Sequence, residues 1–218
     1  MSLPEPHFTT ARVEEGHILL LDFHRERLFY DAALCHTSRR RVEEALEVAR
    51  KCASSIRLGT LKIVVYADKV DVESQPLRRK YWQKTDSSLT LSWQSDLRSG
   101  LALSSKVLNR NEYSSIPSNA LLEYEGEVRE GPHFHVAFRF RDTRNKWTTP
   151  ALAPGVLYGT RRAQLLQRDD WQEDAISVED VDSAIACVAL SGHLGVASVA
   201  QLGEKIFSEP SLECHWDF

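Results

Sequence analysis

The sequence predicts an α+β protein built in two lobes. Three observations predict it: short alternating runs that read as β-hairpins, one long amphipathic helical pattern between them, and a polar, proline-containing stretch, "NRNEYSSIPSN", that reads as a junction. The expected lobes are an N-terminal α+β unit over residues 1–105 and a C-terminal unit over 106–218.

Each element has its own signal. Phe8 to Val13 alternates, "EEG" turns the chain, and "HILLL" resumes an extended pattern, which together read as a hairpin. Val42, Ala45, Leu46, Ala49, Cys52, Ala53 and Ile56 then fall at helical spacing after the candidate caps Thr37 and Ser38, and Gly59 is placed to stop that helix. "LKIVVYA" and "SLTLSW" read as strands, and "ALLEYEGEVREG" as two strands joined at Glu125 and Gly126. In "HFHVAFRF", Phe134, Val136, Phe138 and Phe140 share one face while His133, His135, Ala137 and Arg139 share the other, predicting a strand with one dry and one polar face. "PALAPGVLYGTRRAQLLQR" reads as a loop running into a helix near Gly159. Ser177 with Asp180 resembles a capping box, and "IACVAL" reads as a buried strand broken by "SGHLG".

Composition narrows the function. The chain has 218 residues, 42% hydrophobic and 27% charged, enough to bury a sizeable core and unlike a disordered or membrane-embedded chain. No apolar run approaches a bilayer span and the first residues lack a signal-peptide pattern, so a cytoplasmic protein with no membrane partner is expected. Lys+Arg 27 against Asp+Glu 31 leaves a net charge of −4, which gives no reason to expect nucleic acid. The one basic cluster, "SRRRVEEALEVARK", alternates with glutamates as a solvated helix face does. Cys35, Cys52, Cys187 and Cys214 show neither zinc nor disulfide spacing. His133 and His135 have two-ligand metal geometry without a third ligand, so no metal is expected and a half-exposed strand face is the reading.

In "LALSSKVLNRNEY", Lys106 follows small and apolar residues, so its ammonium either snorkels to water or serves as a desolvated catalytic amine. "YGTRRAQLL" offers unpaired amides at Thr160 and Arg161 behind Gly159, a setting that suits phosphate. Ser191-Gly192 is a second loop of that character, and Glu130 places a carboxylate before a glycine. Together these suit a phosphorylated aldehyde cofactor.

The order of these pieces resembles the class IV, fold-type IV family of pyridoxal-phosphate enzymes, which includes branched-chain and D-amino-acid aminotransferases and aminodeoxychorismate lyase. The resemblance runs through "FTTARVEEGHILLLDFHRERL", with its H-x-x-R-L, then "KVLNR", "EGEVREG", "LAPGVLYGTRRAQLL" and "ISVEDVDSAIACVALSG". It implies a two-lobed fold with pyridoxal 5'-phosphate held between the lobes. It implies that Lys106 forms the Schiff base with the cofactor, that Glu130 meets the pyridine nitrogen, and that Arg27 binds the phosphate. Gly159, Thr160, Arg161, Ser191 and Gly192 fall on the segments that cup that phosphate. "HFTTARV" and "KVLNR" look most like the lyase branch, implying removal of pyruvate from 4-amino-4-deoxychorismate to leave 4-aminobenzoate, a step toward folate. A class IV aminotransferase acting on branched-chain or D-amino acids is the alternative, and a non-catalytic relic of the fold is a third.

The resemblance also implies a small-molecule amino substrate; Phe8 and Arg110 are candidate contacts, and on charge alone Arg110, Arg12 and Arg161 are candidate partners for its carboxylate. It implies a homodimer. The sequence departs from the family in its short N-terminal lobe, in a trimmed segment after Lys106, in His135 where the family has asparagine, and in Thr160-Arg161 where it has Ile-Thr.

Overall fold

The computed structural model describes residues 4–77, 89–98, 104–141, 146–152 and 156–208. The expected strand end at Leu101–Leu103, the Pro154-Gly155 turn and Cys214 lie outside the described residues.

A small sheet contains β1 (His7–Glu14), β2 (His17–Ile18), β3 (Leu58–Val65) and β4 (Val70–Gln75) in the order β2-β1-β3-β4, every pair antiparallel. Its first turn has Glu15 at φ 46 and Gly16 at φ 81, the two left-handed residues that a tight hairpin demands. In the β1–β3 register Thr10 opposes Lys62 and Ala11 opposes Leu61. One face therefore carries Phe8, Thr10, Thr60 and Lys62, and the other carries Thr9, Val13, Leu61 and Ile63.

Two helices cover the second face. The expected extended run "HILLL" stops at Ile18; Leu20 turns left-handed at φ 56 and Leu21 opens a helix, α1 (Leu21–Leu34), that the apolar spacing did not reveal. Helix α2 (Arg39–Ala53) follows the predicted pattern, with the Ser38 side chain accepting the Arg41 amide at 3.3 Å. Val42, Ala45, Leu46 and Ala49 pack with Leu28, Leu61 and Ile63 in one buried cluster. Each large aliphatic side chain so buried contributes roughly 1.5–3 kcal/mol. Gly59 does not stop α2, which ends at Ala53; it lies in β3, where a Cβ would come within 2.9 Å of the Gln75 carbonyl oxygen.

The larger sheet contains β5 (Leu89–Ser95), β6 (Ala120–Tyr124), β7 (Glu127–Val128), β8 (His135–Phe140), β9 (Trp147–Pro150), β10 (Trp171–Asp174), β11 (Ala184–Ser191) and β12 (Gly195–Leu202). They run in the order β10-β9-β8-β11-β12-β5-β6-β7, with β13 (Lys205–Ile206) paired on β12. The contacts β9–β10, β12–β5 and β5–β6 are parallel and the rest antiparallel. Strand β5, which precedes residue 105, hydrogen-bonds into this larger sheet. Strands β4, β9 and β10 are further elements that the sequence pattern did not mark.

Phe134, Val136, Phe138 and Phe140 enter a core with Leu121, Cys187 and Val199, as their alternation predicts. The opposite face of β8 is not the polar surface expected. Ala137 packs against Trp147, Trp171 and Leu165, and His135 is buried, because helix α3 (Thr160–Leu165) lies over that face. The Ser177 hydroxyl accepts the Asp180 amide and Asp180 accepts the Ser177 amide, a reciprocal capping box that opens only a single 3₁₀ turn. Among the described residues no helix is long and apolar enough to cross a membrane.

Candidate active site

Lys106 sits on a turn pinned to the start of β1. The Phe8 amide donates to the Lys106 carbonyl at 2.9 Å, the Leu108 amide donates to the Pro6 carbonyl at 2.7 Å, and His7 bridges Val107. The Lys106 Nζ lies 4.6 Å from the centre of the Phe8 ring. Burial, then the neighbouring Arg27 and Arg110 guanidiniums, hold its pKa well below the ordinary lysine value. The lowered pKa favours the neutral amine, the form that can act as a nucleophile or a base.

Helix α1 turns a polar face toward this turn. His24, Arg27 and Asp31 are all buried, at spacings that stack them along one side of the helix. The His24 Nδ1 meets the Thr9 hydroxyl at 2.7 Å. Arg27 donates from Nε to the Tyr158 carbonyl at 2.7 Å and from Nη1 to the Thr9 hydroxyl at 3.3 Å. Asp31 accepts from the Ser105 hydroxyl and from the Lys106 backbone amide. Burial lowers the His24 pKa far below the usual imidazole range, with Arg27 adding to it, and pushes Asp31 up to about 6 against the pull of Arg27.

Glu130 lies beyond Lys106, 1% exposed. Its Oε1 accepts from Arg98 at 2.8 Å and its Oε2 accepts the Leu157 amide at 3.1 Å. Arg98 is fixed in turn by two bonds to Asp96, at 2.8 and 2.7 Å, and by the Tyr113 hydroxyl. Burial raises the Glu130 pKa and Arg98 opposes the rise. A buried carboxylate stripped of such a guanidinium would cost about 3–5 kcal/mol, so Arg98 is part of the site although nothing in the spacing of the sequence announced it.

Two glycine segments close the opposite wall. A Cβ on Gly159 would strike the His135 ring at 2.4 Å, and one on Gly192 would strike the Thr160 hydroxyl at 2.2 Å. Glycine at each position thus lets a polar side chain reach the wall. The amides of Thr160 and Arg161 precede the first intrahelical bond of α3, which runs from the Ala163 amide to the Gly159 carbonyl at 2.8 Å. The Ser191 hydroxyl meets the His193 Nδ1 at 3.2 Å.

These walls enclose a cavity of about 290 Å³. Lys106, Arg27, Glu130, Phe8 and Arg110 line one side, and Gly159, Thr160, Arg161, Ser191 and Gly192 line the other. The structure brings these candidates to one space; Arg12, the further candidate for the substrate carboxylate, is not among the lining residues and pairs with Glu14 instead. Arg110 donates to the Pro132 carbonyl at 2.9 Å and stacks on Tyr113 with its guanidinium carbon 3.6 Å from the ring centre. Burial and then Arg12 lower the Arg161 pKa to about 10. His133 and His193 also line the cavity, unmarked as such by the sequence, as do Thr10, read there only as part of the pair in "HFTTARV", and His135, read there only as a strand-face residue that departs from the family pattern. Behind the wall, Thr9 enters the sequence reading only as half of the threonine pair in "HFTTARV", and His24 and Asp31 are not singled out; the one available signal is three polar residues at helical spacing in "LDFHRERLFYDAAL". His133 and His135 do not form a metal pair: His133 precedes β8 and is exposed, while His135 is turned inward over Gly159.

The residues present fit a phosphorylated pyridine aldehyde. Arg27 and the amides at the start of α3 suit a phosphate, the gap kept by Gly192 leaves the Thr160 hydroxyl at that wall, and Glu130 retains acceptor capacity for a protonated ring nitrogen. The His24 Nε2 is a buried polar atom with no protein partner beside this cup, consistent with a site that expects a further anion.

Comparison with known proteins agrees with the geometry. The family model for class IV aminotransferases matches residues 7–202. A proposed aminodeoxychorismate lyase from Schizosaccharomyces pombe is 37% identical over 71 residues, which is 32% of this chain and 29% of that protein. The chain thus matches less than a third of the length of that relative. A hypothetical aminotransferase from Mycobacterium tuberculosis in its PLP-bound form superposes with a TM-score of 0.77 at 19% identity, covering 94% of this chain and 83% of the other. The 4-amino-4-deoxychorismate lyase of Pseudomonas aeruginosa superposes with a TM-score of 0.74 at 17% identity, covering 94% and 85%. These two likenesses establish the fold. The chain belongs to the class IV aminotransferase family of pyridoxal-phosphate-dependent enzymes.

Proposed function

We propose that the chain is a pyridoxal-phosphate-dependent lyase that converts 4-amino-4-deoxychorismate to 4-aminobenzoate and pyruvate. The observation that carries this reading is the cationic cavity around Lys106. Arg27, Arg110 and Arg161 all line it, more positive charge than one cofactor phosphate needs, which suits a substrate bearing two carboxylates. The match to the Schizosaccharomyces pombe relative and the Thr9-Thr10 pair support the same branch.

The geometry supports the following roles. Arg27 would hold the phosphate, with the Thr160 and Arg161 amides and Ser191 around it. Glu130, hydrogen-bonded by Arg98, would face the pyridine nitrogen and favour its protonated form. Pyridoxal phosphate supplies an electron sink for charge that develops at the substrate carbon. Lys106 would carry the cofactor, and its amine, whose lowered pKa favours the neutral form, would take the proton from the substrate carbon that bears the amine. In the lyase reaction the ring carbon–oxygen bond breaks, and a proton returns to the methylene of the departing enolpyruvate as pyruvate forms.

An aminotransferase for branched-chain or D-amino acids is the second reading, favoured by one observation. A neighbouring cavity of about 370 Å³ shares Thr10, His133, Phe134 and His193 with the first and is walled by Leu77, Leu89, Leu91 and Leu194, which suits an apolar side chain. We place the protein in the cytoplasm as a homodimer, with the cofactor between an N-terminal lobe over 1–105 and a C-terminal lobe over 106–218. Purified protein given 4-amino-4-deoxychorismate should release 4-aminobenzoate and pyruvate in equal amounts. Conversion of branched-chain or D-amino acids with 2-oxoglutarate, and no pyruvate from the chorismate derivative, would replace this reading with the second.

A further inference from the structure

Helix α1 does more than present an arginine to the cavity. Asp31 lies one turn beyond Arg27, 1% exposed, and accepts from both the Ser105 hydroxyl and the Lys106 amide. Its Oδ2 has no partner, so a single carboxylate oxygen carries both bonds. The Ser105 hydroxyl also meets the Cys35 thiol, at the end of the same helix, at 3.1 Å. The turn that bears Lys106 is thus tied to β1 through its carbonyls and amides and to α1 through Asp31.

We propose that Asp31 is a positioning residue for Lys106, fixing the Ser105–Lys106 turn against the same helix face that presents Arg27. The arrangement places the amine and the phosphate-binding guanidinium on one rigid support. A hydrophobic residue there would leave the Lys106 amide without its acceptor. The carboxylate also faces Arg27 on its own helix, Lys106 across the gap and the Cys35 thiol, and its negative charge offsets part of the positive field that lowers the amine's pKa. Asp31 does not touch the cavity, so its effect reaches chemistry only through Lys106.

This inference rests on the reading of Lys106 as the cofactor-bearing lysine. The two are tested separately: amide exchange reports the anchor in the cofactor-free protein, and borohydride trapping reports the reading. In Asp31→Ala the Lys106 amide should exchange at least about tenfold faster, the loss expected for a hydrogen bond to a charged acceptor. Asp31→Asn keeps an oxygen acceptor and should restore protection. With pyridoxal phosphate bound, Asp31→Asn should still shift the pH titration of the visible absorption band downward, a change that a merely structural residue would not produce. If Asp31→Ala does not fold, Ser105→Ala removes the other bond between Asp31 and the turn and, by loosening the turn, should also speed exchange. Unchanged exchange in Asp31→Ala or Ser105→Ala, failure of Asp31→Asn to restore protection, or an unmoved titration would overturn the proposal.

Discussion

Helices α1 and α2 pack on the same face of the same small sheet, yet they obey opposite rules. Helix α2 buries Val42, Ala45, Leu46 and Ala49, carries a side-chain cap at Ser38 and keeps its charges outward. Helix α1 buries His24, Arg27 and Asp31 beside Leu28 and Ala32, and its N-cap, Leu20, makes no side-chain bond. One helix is built for stability and the other spends stability on the site. Local rules are broken where the chain has chemistry to do.

The comparison is sharpest when each helix is damaged in turn. Leu46→Ala on α2 should destabilise the fold by about 2–5 kcal/mol through the cavity it leaves, with pyridoxal-phosphate affinity unchanged in the fraction that remains folded. Chemical denaturation and absorbance titration would read the two effects separately.

The opposite behaviour is expected on α1. Burial raises Asp31 from the ordinary 3.8 to about 6, so the folded state binds a proton that the unfolded state has already lost between these values. The stabilising contribution is complete below about pH 4 and is lost as pH rises through about 6. Asp31→Asn should remove this loss and stabilise the protein at pH 7 by roughly 1–3 kcal/mol, given about 1.4 kcal/mol per pH unit. Melting temperature measured from pH 4 to 7 would show it as a flattened curve. A variant that gains stability while altering the cofactor band would mark Asp31 as retained for function.

Arg27→Gln should weaken pyridoxal-phosphate binding on the order of 30-fold, about 2 kcal/mol for a lost charge-assisted contact, while leaving α2 and its core intact. Equilibrium dialysis against the cofactor would measure it. The smallest effect belongs to the cap: Ser38→Ala should cost about 1 kcal/mol of stability and nothing in cofactor affinity.

The same contrast explains what could be read from the sequence. Helix α2 was legible because its apolar residues recur at helical spacing, and the hairpin turns were legible because Gly16 and Gly126 follow residues that must also turn left-handed. Helix α1 was not, since a buried face made of histidine, arginine and aspartate looks like a solvated one when only hydropathy is counted. Residues such as Lys106 and Glu130 stood out through their resemblance to a family order. Arg98 and Asp31 did not, because their roles depend on contacts with Glu130 and with the Ser105–Lys106 turn that no sequence spacing encodes. The buried side of β8 was misread for a related reason: α3, which covers it, arrives from a distant part of the chain.

The central claim is that α1 and the start of β1 hold one particular lysine ready for the cofactor. Lys62 provides an internal control, because its Nζ also lies near the Phe8 ring, at 5.0 Å, on the open face of β3. Protein incubated with pyridoxal phosphate, reduced with borohydride and digested should carry the pyridoxyl mass on the peptide containing Lys106, and Lys106→Ala should carry none. A stable adduct on Lys62 or another lysine, or no adduct at all, would contradict the account.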